Sequence, residues 1–154
     1  MATERPPTWA EFEAGAPELA RLAARRLQAA VAYLATVGAG GWPRVHPVSP
    51  IVRRGRLLVF MEPTSPKGRD LRRDPRYALH TGVEDARGGG GEVAIRGSAR
   101  ALEDPAIRVM AAGPTTRDRW LLFELLVGRV LVTTYPEGGD PVRRRGTAPV
   151  EPAP

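Results

Sequence analysis

The hydrophobic and polar positions follow two different periods along the chain. Up to residue 31 the apolar positions recur at helical spacing, with a capping box at Thr8–Glu11 and a second helix after Pro17. From Ala32 the pattern changes to extended apolar runs separated by turns rich in glycine and arginine. These runs predict strands over 32–37, 43–52, 57–61, 77–83 and 92–102, and a short helix over 105–112.

The run Trp120–Thr134 begins as strongly apolar sequence, so its periodicity fits either a helix or a strand that is buried on both faces. Its β-branched end favours a strand. From residue 135 onward the chain is Pro, Gly and Arg with little to bury, which predicts a disordered or loosely attached tail. The predicted organisation is an N-terminal helical segment over 1–31, a barrel domain over 32–134 and a Pro/Gly/Arg-rich tail over 135–154.

Six strands in antiparallel hairpins, with a helix between the third and the fourth, predict a mainly β fold and a small closed or half-closed barrel. Pro43, Pro47 and Pro50 mark the second strand as an edge or a bulged strand, because proline cannot donate a ladder hydrogen bond. A strand that is apolar on both faces has more surface to bury than one small core can take. We therefore expect a homodimer whose two-fold interface is formed by barrel strands.

The stretch Phe60–Pro75 is the best candidate for a binding site. Ser65 is a typical N-cap residue and Pro66 suits the first helical position, so a helix should begin there. Its first turn would present N–H groups to an anion, and Lys67, the only lysine in the chain, adds a positive charge. The pattern indicates a phosphate site, and its alternative interpretation is a capped surface helix with a solvated cation.

Composition limits the classes of function. The 154 residues include no cysteine and two histidines, so neither a disulfide nor a typical metal site is expected. No apolar run approaches the ~20 residues of a membrane span, and the first residues lack a signal peptide, which predicts a cytoplasmic protein without a membrane partner. The net charge of +6 raises nucleic-acid binding, but aromatic and basic residues are not interleaved, so we expect none. No nucleophile–base pair or carboxylate dyad is visible, and no catalytic side chain is predicted.

Four ordered segments resemble the pyridoxamine 5′-phosphate oxidase-like split-barrel flavoproteins: Leu34–Val37, Gly41–Val48, Leu58–Phe60 and Ser65–Leu79. The resemblance implies a six-stranded antiparallel split barrel with peripheral helices. It also implies a homodimer that binds FMN, or in some branches the deazaflavin F420, at the dimer interface. The activity that it implies is hydride transfer to or from a small organic substrate.

The resemblance also implies roles for seven residues. Lys67 matches the lysine that contacts the cofactor phosphate, and Ser65 opens the same helix. Met61 and Glu62 match the strand end beside the flavin, while Arg44, His46 and Val48 match the strand that lines the cofactor. The alternative within the same fold is a non-catalytic module that carries flavin or haem.

Two departures from the pyridoxamine phosphate oxidases themselves argue against oxidation of that vitamin. Pro66 stands where those enzymes have an arginine beside the phosphate lysine, and Arg143–Gly146 does not reproduce their Arg-x-His element. The arginines at 72, 73 and 76 slightly favour a cofactor with a longer anionic tail, such as F420. Family prevalence nevertheless puts FMN first.

Overall fold

The computed structural model describes residues 5–29 and 31–147, and it contains eight strands and four helices. The predictions for residues 1–4, 30 and 148–154 lie outside these described residues. In chain order the elements are α1 (Trp9–Gly15), α2 (Pro17–Ala29), β1 (Ala32–Val37), β2 (Pro43–Val48), β3 (Ile51–Arg53), β4 (Arg56–Met61), α3 (Pro66–Arg73), β5 (Arg76–Thr81), β6 (Glu92–Leu102), α4 (Pro105–Ala111), β7 (Leu121–Thr134) and β8 (Val142–Gly146).

All strand pairs are antiparallel, and the main path through the sheet runs β2-β1-β5-β6-β7-β4-β3. β8 lies off this path and pairs with the end of β7. The sheet does not close on itself between β2 and β3. The predicted fold class, a mainly antiparallel β split barrel with peripheral helices, is confirmed.

The strand count differs from the prediction for two reasons. The predicted second strand is divided at Ser49 and Pro50 into β2 and β3, which pair with different neighbours. In addition, residues 142–146 of the predicted tail form β8, which pairs with β7 from Val130 to Thr134. The prediction of a loosely attached tail is therefore wrong for this segment, because backbone hydrogen bonds hold an edge strand without requiring apolar side chains.

The main core lies inside the barrel and extends under the N-terminal helices. The capping box that starts α1 is present, with hydrogen bonds between Thr8 and Glu11 in both directions. Trp9 and Phe12 of α1 are fully buried with their rings edge to face, 5.5 Å apart between centroids. Because α1 and α2 bury their apolar faces in the same core as the strands, the helical segment and the barrel share one hydrophobic interior.

Most of the run that ends at Thr134 forms a strand, β7, which carries two charged residues, Glu124 and Arg129, and of these only Glu124 is buried. The Glu124 side chain is fully buried, and its carboxylate accepts hydrogen bonds from Arg56 at 2.9 Å and Arg100 at 2.6 Å. Its charge is therefore compensated by arginines from two neighbouring elements, β4 and β6. Among the helices that the structure describes, none is long and apolar enough to cross a bilayer.

Candidate functional site

The N-terminus of α3 forms as the sequence predicts, with one difference at its cap. Ser65 is the N-cap residue, in extended backbone conformation, and Pro66 occupies the first turn. The Ser65 hydroxyl makes no capping hydrogen bond to the helix backbone. Instead it accepts a hydrogen bond of 3.0 Å from the Nζ atom of Lys67. Ser65 therefore orients the lysine rather than capping the helix.

Lys67 is half-buried, and burial lowers the pKa of its ammonium group below the ordinary value. Within residues 5–29 and 31–147, no carboxylate oxygen lies within 4.0 Å of its Nζ atom. A partly desolvated cation without a counter-ion attracts an anionic ligand more strongly than a solvated one does. This arrangement favours the phosphate-site interpretation over that of a solvated surface cation.

Close packing fixes the position of α3 against the end of β4. A Cβ atom placed on Gly68 would lie 3.4 Å from both the Met61 sulfur and a Leu121 methyl group. The small residue after Lys67 therefore lets the helix approach the strand closely. This contact sets Lys67 beside the end of β4, where Met61 and Glu62 follow.

A cleft of about 550 Å³ opens in front of this helix start. Four of the seven predicted site residues line it: Val48, Met61, Glu62 and Lys67. Its volume lies within the range of ~300–1,000 Å³ that is usual for small-molecule sites. The structure thus brings these four residues to one cavity.

Arg44 does not line the cleft, because Asp70 of α3 holds it. The Nε atom of Arg44 lies 3.3 Å from the Asp70 carboxylate, which also accepts hydrogen bonds from Thr36 at 2.9 Å and Arg73 at 3.0 Å. Asp70 is almost fully buried, and burial raises the pKa of its carboxyl. The hydrogen bonds and positive charges outweigh burial, so the pKa lies below its ordinary value. The cluster ties α3 to β1 and β2.

His46 lies on the same face of β2 as Arg44 and Val48, as strict alternation predicts, but outside the cleft lining. Its Nε2 atom is buried and has no hydrogen-bond partner among the described residues. Burial, and secondarily the charge of Lys67, lower the pKa of this imidazole below 6.5. Burial therefore favours the neutral form of His46.

Glu62 lines the cleft, but its charge is already balanced. Arg119 donates to both carboxylate oxygens, at 2.7 and 3.0 Å. This guanidinium holds the pKa of Glu62 below its ordinary value, and the Trp120 indole N–H adds to the shift without reaching hydrogen-bond geometry. A carboxylate held in this way is a poor proton donor near pH 7.

Other residues of the cleft were not predicted from sequence. Arg53 and Phe60 flank it on the β3–β4 hairpin, while Thr115, Thr116 and Trp120 come from the loop after α4. The loop carries no motif, so its place depends on tertiary packing. The cleft thus combines apolar walls, a cation at the start of α3 and a second cation on β3.

The two cations lie near opposite ends of β4. Gly68, next to Lys67, packs on Met61 at one end, whereas Arg53 pairs with Arg56 at the other. Arg56 and Met61 are five residue steps apart along the extended strand, which corresponds to about 16 Å. Arg53 donates one hydrogen bond, of 2.8 Å, to the Met110 carbonyl. An elongated, flat and anionic ligand suits a cleft of this shape and charge.

Comparison with known proteins places this geometry in context. A family model described as pyridoxamine 5′-phosphate oxidase matches residues 19–121 of the chain. No curated protein sequence matches the chain.

Three solved structures illustrate the shared fold. A conserved hypothetical protein from Mycobacterium tuberculosis is 21% identical over 70% of this chain and 79% of its own, with a TM-score of 0.60. A heme binding protein from Mycobacterium smegmatis is 19% identical over 95% of this chain and 60% of its own, with a TM-score of 0.62. A FAD-binding protein from Mesorhizobium loti is 22% identical over 70% and 88%, with a TM-score of 0.55. At these identities the structures show a common fold.

Proposed function

Because the chain belongs to the pyridoxamine 5′-phosphate oxidase family, we propose that it binds a flavin-type cofactor in the cleft beside α3. FMN is the first candidate and F420 the alternative. The proposed activity is hydride transfer to or from a small organic molecule. The observation that carries the proposal is the half-buried Lys67 ammonium, which borders the cleft and has no carboxylate within 4.0 Å among the described residues.

The residues present suit a flavin phosphate and ring. Lys67, held by Ser65, would bind the phosphate, and burial favours the neutral form of His46. Phe60 and Met61 would provide an apolar surface that excludes water from one side of a flat ring. A bound flavin would itself supply the hydride chemistry.

The cleft supports an oxidoreductase without an acid–base pair of its own. Glu62 is the carboxylate of the lining, and Arg119 keeps it ionised. The same fact keeps a second candidate open, a flavin or haem carrier that does not turn over. The two candidates differ in one measurable property, which is whether bound cofactor is reduced and reoxidised by a small substrate in the steady state.

Of the arginines at 72, 73 and 76, two make contacts that favour FMN over F420 as the cofactor. Arg73 forms an ion pair with Asp70, and Arg76 forms one with Asp74 at 2.6 Å. Two of the three arginines that could hold a long anionic tail are thus already engaged by carboxylates of the chain. This removes most of the support that the sequence lends to F420.

We propose that the protein is a homodimer that associates through the outer face of β1 and β2. Tyr33 and Val45 point outward from these strands and are 48% and 64% exposed. Pro47, paired with Tyr33, lies on the same face and also lines the cleft. A second copy on this face would bury apolar surface and cover one side of the cleft at the same time.

The absorbance spectrum of the purified protein tests the cofactor proposal, with mass spectrometry of any released ligand. Protein without bound cofactor is titrated with FMN and, separately, with F420. We expect micromolar or tighter binding of FMN. Failure to bind either cofactor would exclude the proposed function.

Size-exclusion chromatography with light scattering tests the dimer independently. The parent protein should have twice the mass of the chain, and Tyr33→Glu should shift the mass toward that of a monomer. Val109→Glu is the matched control, because Val109 is 77% exposed and belongs to α4 rather than to β1 or β2. A monomeric parent at micromolar concentration would exclude the dimer and leave the cofactor proposal standing.

A further inference from the structure

We propose that Arg108 is a positioning residue that fixes one wall of the cleft and thereby sets its affinity for the cofactor. The wall is the segment of residues 112–120 after α4, referred to below as the wall loop. Arg108 is not part of the cleft lining, so it would act through its neighbours rather than through contact with ligand. The inference rests on the proposed function only for the identity of the ligand.

One guanidinium satisfies three backbone carbonyls of the wall loop. Arg108 donates from Nη1 to the Trp120 carbonyl at 2.7 Å, and from Nη2 to the carbonyls of Arg117 at 3.0 Å and Asp118 at 2.5 Å. Arg108 itself belongs to the last turn of α4. The planar guanidinium, carried by α4, thus holds residues 117–120 of the wall loop.

The same guanidinium also contacts Phe60, a residue of the cleft lining. Its central carbon lies 5.4 Å from the centroid of the Phe60 ring, within the range of a cation–π interaction. Phe60 and Trp120 both line the cleft. Arg108 therefore contacts both Phe60, on β4, and Trp120, the last residue of the wall loop before β7.

The other contacts of the wall loop are hydrogen bonds within the loop itself or an ion pair exposed to solvent. Gly113 and Thr116 bond to each other, and the Trp120 N–H bonds to the Arg117 carbonyl within the loop. The ion pair between Arg119 and Glu62 joins the loop to the end of β4, but both side chains are partly exposed to solvent. Exposed ion pairs fix a loop weakly. Among the described residues, Arg108 is thus the strongest link between the wall loop and the helix before it.

A lysine at position 108 cannot make the three carbonyl contacts of Arg108. An ammonium group would keep the charge above Phe60, but it lacks the planar fork that reaches three carbonyls at once. Arg108→Lys and Arg108→Gln should therefore both release the wall loop. Arg117→Gln is the matched control, since it changes an exposed arginine of the same loop and leaves the Arg117 backbone carbonyl in place.

The experiment combines FMN titration, tryptophan emission and thermal melting on the full chain. The chain has three tryptophans, so the contribution of Trp120 is obtained by subtracting the spectrum of Trp120→Phe. In both Arg108 variants we expect a red shift of the Trp120 emission. We also expect an FMN dissociation constant raised roughly ten-fold or more, as for a displaced binding wall. Arg117→Gln should match the parent in both measurements.

The outcomes separate this inference from the proposed function. If both Arg108 variants bind FMN within about two-fold of the parent, the inference is wrong while the proposed function stands. If the parent binds no FMN, the proposed function is wrong, and the Trp120 emission still decides whether Arg108 holds the wall. An unchanged emission would overturn the inference in either case. If Arg108→Gln does not fold, Arg108→Lys, which retains the cation over Phe60, provides the same readouts.

Discussion

Removing the charge of Lys67 is the most direct test of the candidate site. In Lys67→Met the ammonium is lost, while a flexible apolar chain of similar length takes the place of the lysine stem. The substitution removes one hydrogen bond, of 3.0 Å, from the Lys67 ammonium to the Ser65 hydroxyl. The fold should tolerate this change, because burial of an uncompensated cation is itself unfavourable, as the lowered pKa of Lys67 shows.

The expected loss of affinity follows from the surroundings of the ammonium group. With no carboxylate within 4.0 Å among the described residues, its charge is available to a ligand phosphate. A charge-assisted hydrogen bond contributes about 1.5–3 kcal/mol. Since a factor of ten in affinity corresponds to about 1.4 kcal/mol, the dissociation constant for FMN should rise about 10- to 150-fold. The melting temperature should stay within about 3 °C of the parent.

Flavin fluorescence quenching gives the dissociation constants, and circular dichroism gives the melting temperatures. Arg69→Met is the matched control, because Arg69 is an exposed cation of the same helix turn and lies outside the cleft lining. It should bind FMN as the parent does. If Lys67→Met and the parent bind FMN equally well, the assignment of the phosphate to this helix start is wrong.

Three further predictions concern the fold around the site. The pKa of His46 is lowered mainly by burial, so the unfolded chain takes up a proton near pH 6.5 that the folded chain does not. The unfolding free energy should therefore fall as pH decreases below that value, and urea denaturation at several pH values should show a flatter dependence for His46→Gln than for the parent. Glu124→Gln should lower the unfolding free energy by roughly 2–3 kcal/mol in urea denaturation. This loss is smaller than for a fully enclosed ion pair, because the two arginine partners of Glu124 are partly exposed. An unchanged urea midpoint would refute a stabilising role for Glu124. Gly97→Ala should prevent soluble expression or strongly lower the melting temperature, because its Cβ atom would overlap the Leu126 carbonyl oxygen at the bulge of β6.

The predictable part of the structure rests on local signals. Ser65 and Pro66 mark the start of α3 because an extended N-cap residue and the fixed backbone angle of proline act within a few residues, although the Ser65 hydroxyl bonds Lys67 instead of capping the helix. The run after Trp120 is a strand, as its β-branched residues predict. The fold class follows from these elements together with the resemblance, which carries information that periodicity lacks. Cytoplasmic location stays a prediction.

The parts that could not be predicted depend on pairing over long distances. Alternation correctly placed Arg44 and His46 on one face of β2, but the register that brings Arg44 to Asp70 is not visible in local spacing. Strand β8 is a run of exposed arginines with no apolar periodicity, and backbone hydrogen bonds to β7 hold it. The wall loop reaches the cleft through the contacts of Arg108, which join elements that sequence analysis treats separately. A buried charge inside an apolar run, as at Glu124, is the one signal that could have indicated such a contact.

The margins of the sheet restrict how this protein can associate. β2 carries two prolines, which cannot donate hydrogen bonds to an added strand, and β8 presents consecutive arginines that repel an identical strand. Growth of the sheet by edge-to-edge addition is thereby disfavoured at both of these strands. β3, the other end of the sheet, has three residues and offers little backbone to an added strand. Association through the faces of the barrel is therefore favoured, and it can end at a closed pair instead of continuing into a fibre.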